Sequence, residues 1–153
     1  MSKSAKSLMI IRIMAIIIVL MPLLHRNGFA DYANPSAGDE TDVSYWLDRG
    51  GFYAVYGNFS AAVNAYKKAL VLNPNDSSAY FNLSLALCEI GLYEDSLEAI
   101  KQAISRNPHN GSYYYGQGWI LVKAGEVAEA RALFLRAADL GDPDAIDYLK
   151  SQD

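Results

Sequence analysis

This chain of 153 residues is poor in the residues that build metal, redox and catalytic sites. It has one cysteine, Cys88, and two histidines, of which only His109 lies beyond residue 30. A single cysteine excludes an intramolecular disulfide framework and a cysteine-rich zinc site. The sequence also lacks a phosphate-binding glycine loop, a nucleophile elbow and an HExxH motif. We therefore expect a protein that is not an enzyme and that uses no cofactor or metal.

Acidic residues are absent from the first part of the chain and concentrated in the rest. Residues 1–30 hold four cations and no Asp or Glu, whereas residues 31–153 hold nine cations and all 17 acids, a net charge of −8. An acidic body has no long-range attraction for nucleic acid or for anionic lipid. The charge distribution thus argues against nucleic acid as a partner.

The N-terminus has the order of a secretory signal peptide. A basic region is followed by an apolar run of 12 residues, Ile13 to Leu24, and then by the small residues Gly28 and Ala30. This order is typical of a segment that directs export and is then removed. We predict a signal peptide over residues 1–30, cleaved after Ala30, and a periplasmic or secreted mature protein.

A retained membrane anchor is the alternative interpretation of the same segment. Residues 8–24 are apolar but contain Arg12, and they are short for a membrane-spanning helix. If they were retained, the protein would be anchored to the inner membrane with its acidic body on the far side, because the cations stay on the cytoplasmic side. In either case residues 31–42, which show no apolar period, are predicted to form a flexible linker.

A period of 34 residues runs through the remainder of the chain. Seven slots recur in register over three copies, and a proline slot recurs over two. The slots hold Trp46, Gly50, Tyr53, Gly57, Ala62, Tyr66, Ala69 and Pro74, then Tyr80, Ser84, Leu87, Gly91, Ser96, Ile100, Ala103 and Pro108, then Tyr114, Gly118, Leu121, Gly125, Ala130, Phe134 and Ala137. Over about residues 43–144 this pattern closely resembles the tetratricopeptide repeat.

The spacing within each copy explains the resemblance in physical terms. Apolar residues spaced 4 and 3 apart fall on one face of a helix, a glycine ends the first helix, and a proline stops the second. One such hairpin cannot bury its apolar face alone, so neighbours must stack. We predict an all-α fold, a right-handed α-solenoid of three stacked helix-turn-helix repeats with a C-terminal capping helix. The repeats are predicted at residues 43–76, 77–110 and 111–142, and the capping helix at residues 143–150.

A second apolar stripe follows the first helix of each hairpin. Its trios are again spaced 4 and 3 apart, and the resemblance implies that these helices line a concave groove in which the stripe meets ligand. An exposed apolar patch of this kind often marks an interaction site. The predicted partner-binding residues are Leu47, Phe81, Leu85, Cys88, Glu89, Tyr115, Trp119, Val122 and Lys123.

The signal-like N-terminus and the resemblance together imply an exported scaffold or adaptor that binds a partner protein or peptide through this apolar groove. Some proteins of the family clamp the C-terminal carboxylate of chaperone tails with Lys, Asn and Arg, but here only Asn82 fits, so we expect an apolar ligand instead. The alternative is a structural envelope protein that associates with itself, as a homodimer or larger oligomer, through the same groove. Internal burial of the stripe is the third interpretation.

Overall fold

The structure, a computed structural model, describes residues 39–151. In this range the chain forms helices and no strands, so the predicted all-α fold is confirmed. The predicted signal segment and residues 31–38 of the predicted linker lie outside the described residues. The helices are α1 (Val43–Val55), α2 (Phe59–Leu72), α3 (Ser77–Glu89), α4 (Tyr93–Arg106), α5 (Gly111–Ala124), α6 (Val127–Asp139) and α7 (Pro143–Lys150).

Asp and Asn side chains begin the helices that start a new hairpin. The first N–H groups of a helix have no partner within it, and a side-chain oxygen at the preceding residue can accept from them. Asp42 accepts from the Ser44 amide, Asp76 from the amides of Ser78 and Ala79, and Asn110 from that of Ser112. These caps fix where α1, α3 and α5 begin.

The predicted final helix is present, and its start is capped in the same way. Asp142 accepts from the amide of Ala145, and Pro143 is the first helical residue. Proline is favoured at this position because its fixed φ suits the helix and its missing N–H would have no partner there. The Asp-Pro pair therefore signals the beginning of α7 from the sequence alone.

Glycines in the left-handed conformation close the turns inside the three hairpins. Gly57, Gly91 and Gly125 have φ values of 73°, 79° and 90°. Glycine takes this conformation without the steric penalty that a Cβ would bring. The three residues occupy the same slot of the 34-residue period, so each first helix ends in the same way.

Within a hairpin, a small residue on the first helix meets a ring on the second. A Cβ on Gly50 would overlap the Tyr66 ring, and a Cβ on Gly118 would lie 2.7 Å from the Phe134 ring. The second hairpin uses a serine pair instead, in which the Ser96 hydroxyl donates to the Ser84 carbonyl oxygen over 2.7 Å. The slots of Gly50, Ser84 and Gly118 are therefore packing positions between the two helices of one hairpin.

The stack is closed differently at its two ends. At the C-terminal end, α7 buries Ala145 completely, and the Tyr148 ring lies 4.4 Å from that of Phe134. At the N-terminal end, the Trp46 indole donates to the carbonyl oxygen of Glu40 over 2.8 Å, and Lys68 Nζ lies 4.0 Å from the centre of the Trp46 ring. A helix therefore covers one end, whereas a short segment and a cation cover the other.

Candidate functional site

The first helices of successive hairpins are neighbours, as the predicted groove requires. The Phe81 ring of α3 stacks on the Tyr113 ring of α5, with centroids 5.0 Å apart and planes inclined by 30°. A Cβ on Gly116 would lie 2.8 Å from the Phe81 ring, so α5 approaches α3 closely at this point. These contacts lie near the N-terminal ends of both helices, which therefore run side by side in the same direction.

We call the nine predicted partner-binding residues the inner stripe. Trp119 is its most accessible large apolar side chain, with 38% of its surface exposed. Leu47, Phe81, Leu85, Tyr115 and Val122 are half-buried, Glu89 and Lys123 are exposed, and Cys88 is buried. Some residues of the inner stripe are therefore on the surface and others are packed, depending on which parts of the chain lie beside them.

Trp119 is accessible although its two neighbours in the chain are not. Gly118 faces the Phe134 ring and Ile120 is fully buried, whereas Trp119 is exposed. Lys123 Nζ lies 5.6 Å from the centre of the indole, within the range of a cation–π contact. The last turns of α5 therefore present an aromatic surface with a cation beside it.

Cys88 lies beneath this surface. It is 4% exposed and packs in a cluster with Ile100 and Ile120. Burial raises the pKa of the thiol, the Glu89 carboxylate raises it further, and Lys123 opposes both effects. A thiol held protonated at neutral pH is a poor nucleophile and a poor metal ligand. Cys88 therefore contributes packing between α3 and α5.

Tyr115 lies near the C-terminal end of the stack. Its ring lies 5.4 Å from that of Phe134, and it shares a cluster with Val122, Tyr148 and Leu149. Burial raises the pKa of its phenol, and the Asp144 and Asp142 carboxylates add to the effect. Tyr115 and Val122 thus sit beside α7, while Trp119 stays open between them.

The first hairpin contributes only a small part of the inner stripe. Leu47 packs in a cluster with Tyr53, Ala54 and the Leu83 side chain of α3. Gly51, the next stripe position on α1, carries no side chain. On α3 and α5 the structure places Phe81 and Cys88 in one cluster and Lys123 beside Trp119, whereas Leu47 belongs to a different cluster.

Tyr113 is the residue at this interface that the sequence reasoning missed. It is buried, it carries the stacked contact with Phe81, and its hydroxyl donates to the Ser77 hydroxyl oxygen over 3.2 Å. The signal was present in the sequence, since Tyr113, Gly116 and Ile120 are spaced 3 and 4 apart. Three consecutive tyrosines obscured it.

An open depression of about 390 Å³ lies at the turns that precede α5 and α7. Three of its polar residues serve helix capping: Asn110 caps α5, Asp142 caps α7, and the Ser112 hydroxyl donates to Asp142 over 2.7 Å. Among residues 39–151 the structure shows no cluster of three or more His, Cys, Asp or Glu placed to hold a metal ion. No helix of the same range is both long and apolar enough to cross a membrane.

Comparison with known proteins agrees with this architecture. The model of the family described as "Tetratricopeptide repeat" matches residues 86–145, and a second model, "TPR repeat", matches residues 53–91. This chain contains tetratricopeptide repeats. A curated relative, Superkiller protein 3 of Saccharomyces cerevisiae, is 32% identical over 59 residues, which are 39% of this chain and 4% of the yeast protein.

Solved structures share the fold. MamA is 25% identical with a TM-score of 0.63, and the match covers 70% of this chain and 63% of MamA. The TPR2B domain of yeast Sti1, solved as a complex with pHsp70, is 20% identical with a TM-score of 0.62, over 64% of this chain and 78% of the domain. This chain therefore spans less than two thirds of MamA and a small fraction of the yeast relative, and the likeness to Sti1 shows the fold alone.

Proposed function

We propose that this protein is an exported scaffold whose inner stripe holds an apolar segment of a partner protein. One observation carries the proposal. Trp119 exposes its indole on α5, while Gly118 and Ile120 on either side of it in the chain are buried in the stack. An accessible aromatic side chain that the hairpin contact does not use is the kind of residue that dominates binding energies at interfaces.

The chemistry around Trp119 suggests what the partner offers. Phe81 and Leu85 add half-buried apolar surface on α3, and Glu89 and Lys123 supply one charge of each sign beside it. An apolar side chain of the partner would pack against the indole, and polar groups beside it would find a carboxylate or an ammonium group. An extended or helical segment with an apolar anchor fits this surface better than a carboxylate terminus, because Lys123 is the stripe's single cation.

Export is the second part of the proposal, and it is supported by the basic, apolar and small-residue order of residues 1–30. The intact mass of the protein isolated from its native host tests it. We expect a mature chain that begins at Asp31. A chain that still begins at Met1 and partitions with membranes would favour the anchor instead.

The binding proposal is tested with Trp119→Ala in the chain as the host produces it. A pull-down first identifies the partner, and titration then compares the parent, Trp119→Ala and the control Leu135→Ala, whose side chain is exposed on α6. We expect Trp119→Ala to weaken binding by about 2 kcal/mol or more, the range of interface hot spots. The control should bind like the parent.

Circular dichroism and light scattering decide among the other outcomes. Retained helical content with lost affinity supports the proposal, whereas retained helical content with unchanged affinity places the partner elsewhere. Loss of helical content would assign Trp119 to the core. A stable dimer that Trp119→Ala dissociates would assign the stripe to a second copy and would favour the self-associating alternative.

A further inference from the structure

Exposed apolar side chains are concentrated on a second surface, at the turns inside the hairpins. We call this surface the hairpin edge and define its apolar residues as Val55, Tyr56, Ile90, Leu92 and Val127, which are between 37% and 85% exposed. They flank the turns that join α1 to α2, α3 to α4 and α5 to α6. Because α3 and α5 run side by side in the same direction, their C-terminal ends, and the turns that follow, lie on one edge of the stack.

The fold does not need these side chains to be apolar. None of the five packs in a core cluster of the described residues, although the Tyr56 ring lies 4.6 Å from that of Phe52. Exposed apolar side chains scattered singly are normal on a protein surface, but a contiguous group usually marks a contact site. The hairpin edge repeats the feature at three successive turns.

Carboxylates lie at the second and third of these turns. Glu94 and Asp95 are in the first turn of α4, and Glu129 is in the first turn of α6. At these positions the helix dipole stabilises their negative charges. Glu89 has no such role, because it is the last residue of α3, where the helix dipole disfavours a negative charge. Glu126 directly precedes α6, and its side chain accepts no capping hydrogen bond.

These carboxylates are poorly balanced by cations. Lys123 is the one cation at the three turns. The ion pair found within the described part of the chain joins Lys150 to Asp147, and both residues belong to α7. The hairpin edge therefore combines exposed apolar side chains with a net negative charge. A positively charged partner would gain both from burying the apolar groups and from the opposite charge, which also speeds association.

We propose that the hairpin edge binds a cationic amphipathic segment of a partner protein. Its apolar side chains would pack on Ile90, Leu92 and the residues beside them, and its Lys or Arg side chains would meet Glu89 and Glu126. The negative charge of the hairpin edge argues against two other binding partners. An anionic lipid surface would be repelled, and a second copy would bring carboxylates against carboxylates. The five apolar residues of the hairpin edge lie outside the inner stripe, whereas Glu89 belongs to both surfaces. The serine variants and Trp119→Ala all keep Glu89, so they tell the two proposals apart.

A synthetic amphipathic helix composed of leucine and lysine serves as the probe, and its binding to the full chain is measured by fluorescence anisotropy at low and at physiological ionic strength. The first variant is the double substitution Ile90→Ser with Leu92→Ser, and we expect it to weaken binding about tenfold or more. The second is Glu89→Gln with Glu126→Gln, which should weaken binding and reduce its dependence on salt.

Two controls match these variants. Val71→Ser removes an even more exposed apolar side chain near the end of α2, away from the hairpin turns. This control should bind the probe like the parent. Trp119→Ala reports on the inner stripe instead: a probe that loses affinity for this variant has bound the inner stripe, and that result would overturn the proposal for the hairpin edge. Circular dichroism of every variant should match that of the parent. A variant that loses helical content is replaced by the single substitution Leu92→Ser.

Several results would overturn the proposal. These are a probe that does not bind, a double serine variant that binds like the parent, and affinity that does not change with salt. A dimer of the parent that the serine variant dissociates would assign the hairpin edge to a second copy. Binding of the chain to phosphatidylglycerol vesicles through the same residues would assign it to lipid.

Discussion

Gly50 and Gly51 follow each other in α1, yet they lie on faces with different surroundings. A Cβ on Gly50 would overlap the Tyr66 ring, whereas a Cβ on Gly51 would find only the Tyr66 hydroxyl at 4.0 Å. Helix α5 repeats the contrast, since Gly118 faces the Phe134 ring and Trp119 beside it is exposed. In both first helices, one face is filled by the hairpin partner and the adjacent face is open to other contacts.

We call the face that the hairpin partner fills the closed face and the adjacent one the open face. The largest effect on stability should come from the ring that fills the closed face of α5. Phe134 is 1% exposed and contacts Gly118, Tyr115 and Tyr148. Phe134→Ala removes this contact and leaves a cavity, so we expect it to lower the free energy of unfolding by about 3–5 kcal/mol. Leu135→Ala, the next residue along α6, should cost far less because that side chain is half in water. Urea denaturation measures both, and equal losses would mean that the closed face has been misassigned.

A smaller loss of stability is expected at a position that has no room for a larger side chain. Ala103 on α4 is fully buried beside Tyr113 and Ile120. Ala103→Leu would overpack this contact and should lower the free energy of unfolding by about 1–3 kcal/mol. The control Ala132→Leu places the same side chain on the exposed face of α6. Thermal melts of the two variants should separate clearly, and a melt of Ala103→Leu identical to the parent would contradict the register of the stack.

The closed face could be predicted from the sequence because it depends on local and repeated features. The 34-residue period placed the glycines at the turns and the alanines at close contacts, and Asp142 with Pro143 marked the start of α7. Capping, left-handed glycine and small residues each act over a few positions. Three copies in register made the pattern specific. The proposed boundaries between the repeats remain predictions.

The open face could be predicted only as a stripe. Helical spacing put Tyr115, Trp119 and Val122 on one line, but it could not show that α7 would lie beside Tyr115 and Val122 and leave Trp119 accessible. It also could not show that Ile120 of the next hairpin would cover Cys88. Which of the three consecutive tyrosines became buried was equally hidden. These outcomes depend on how closely neighbouring hairpins approach, and spacing within one helix carries no information about that approach.

The comparison between the two glycines offers the most direct test of a closed and an open face. Urea denaturation of the parent, Gly50→Ala and Gly51→Ala changes one methyl group at adjacent positions of α1. Gly51→Ala should raise the free energy of unfolding by about 0.5–1 kcal/mol, because alanine is the better helix former and its Cβ comes no closer than 4.0 Å to the Tyr66 hydroxyl. Gly50→Ala should lower it by about 1–3 kcal/mol, because its Cβ must displace the Tyr66 ring. Effects of opposite sign are the predicted result. A loss of stability at both positions would mean that the face of Gly51 is packed, and it would contradict the open groove on which the proposed function rests.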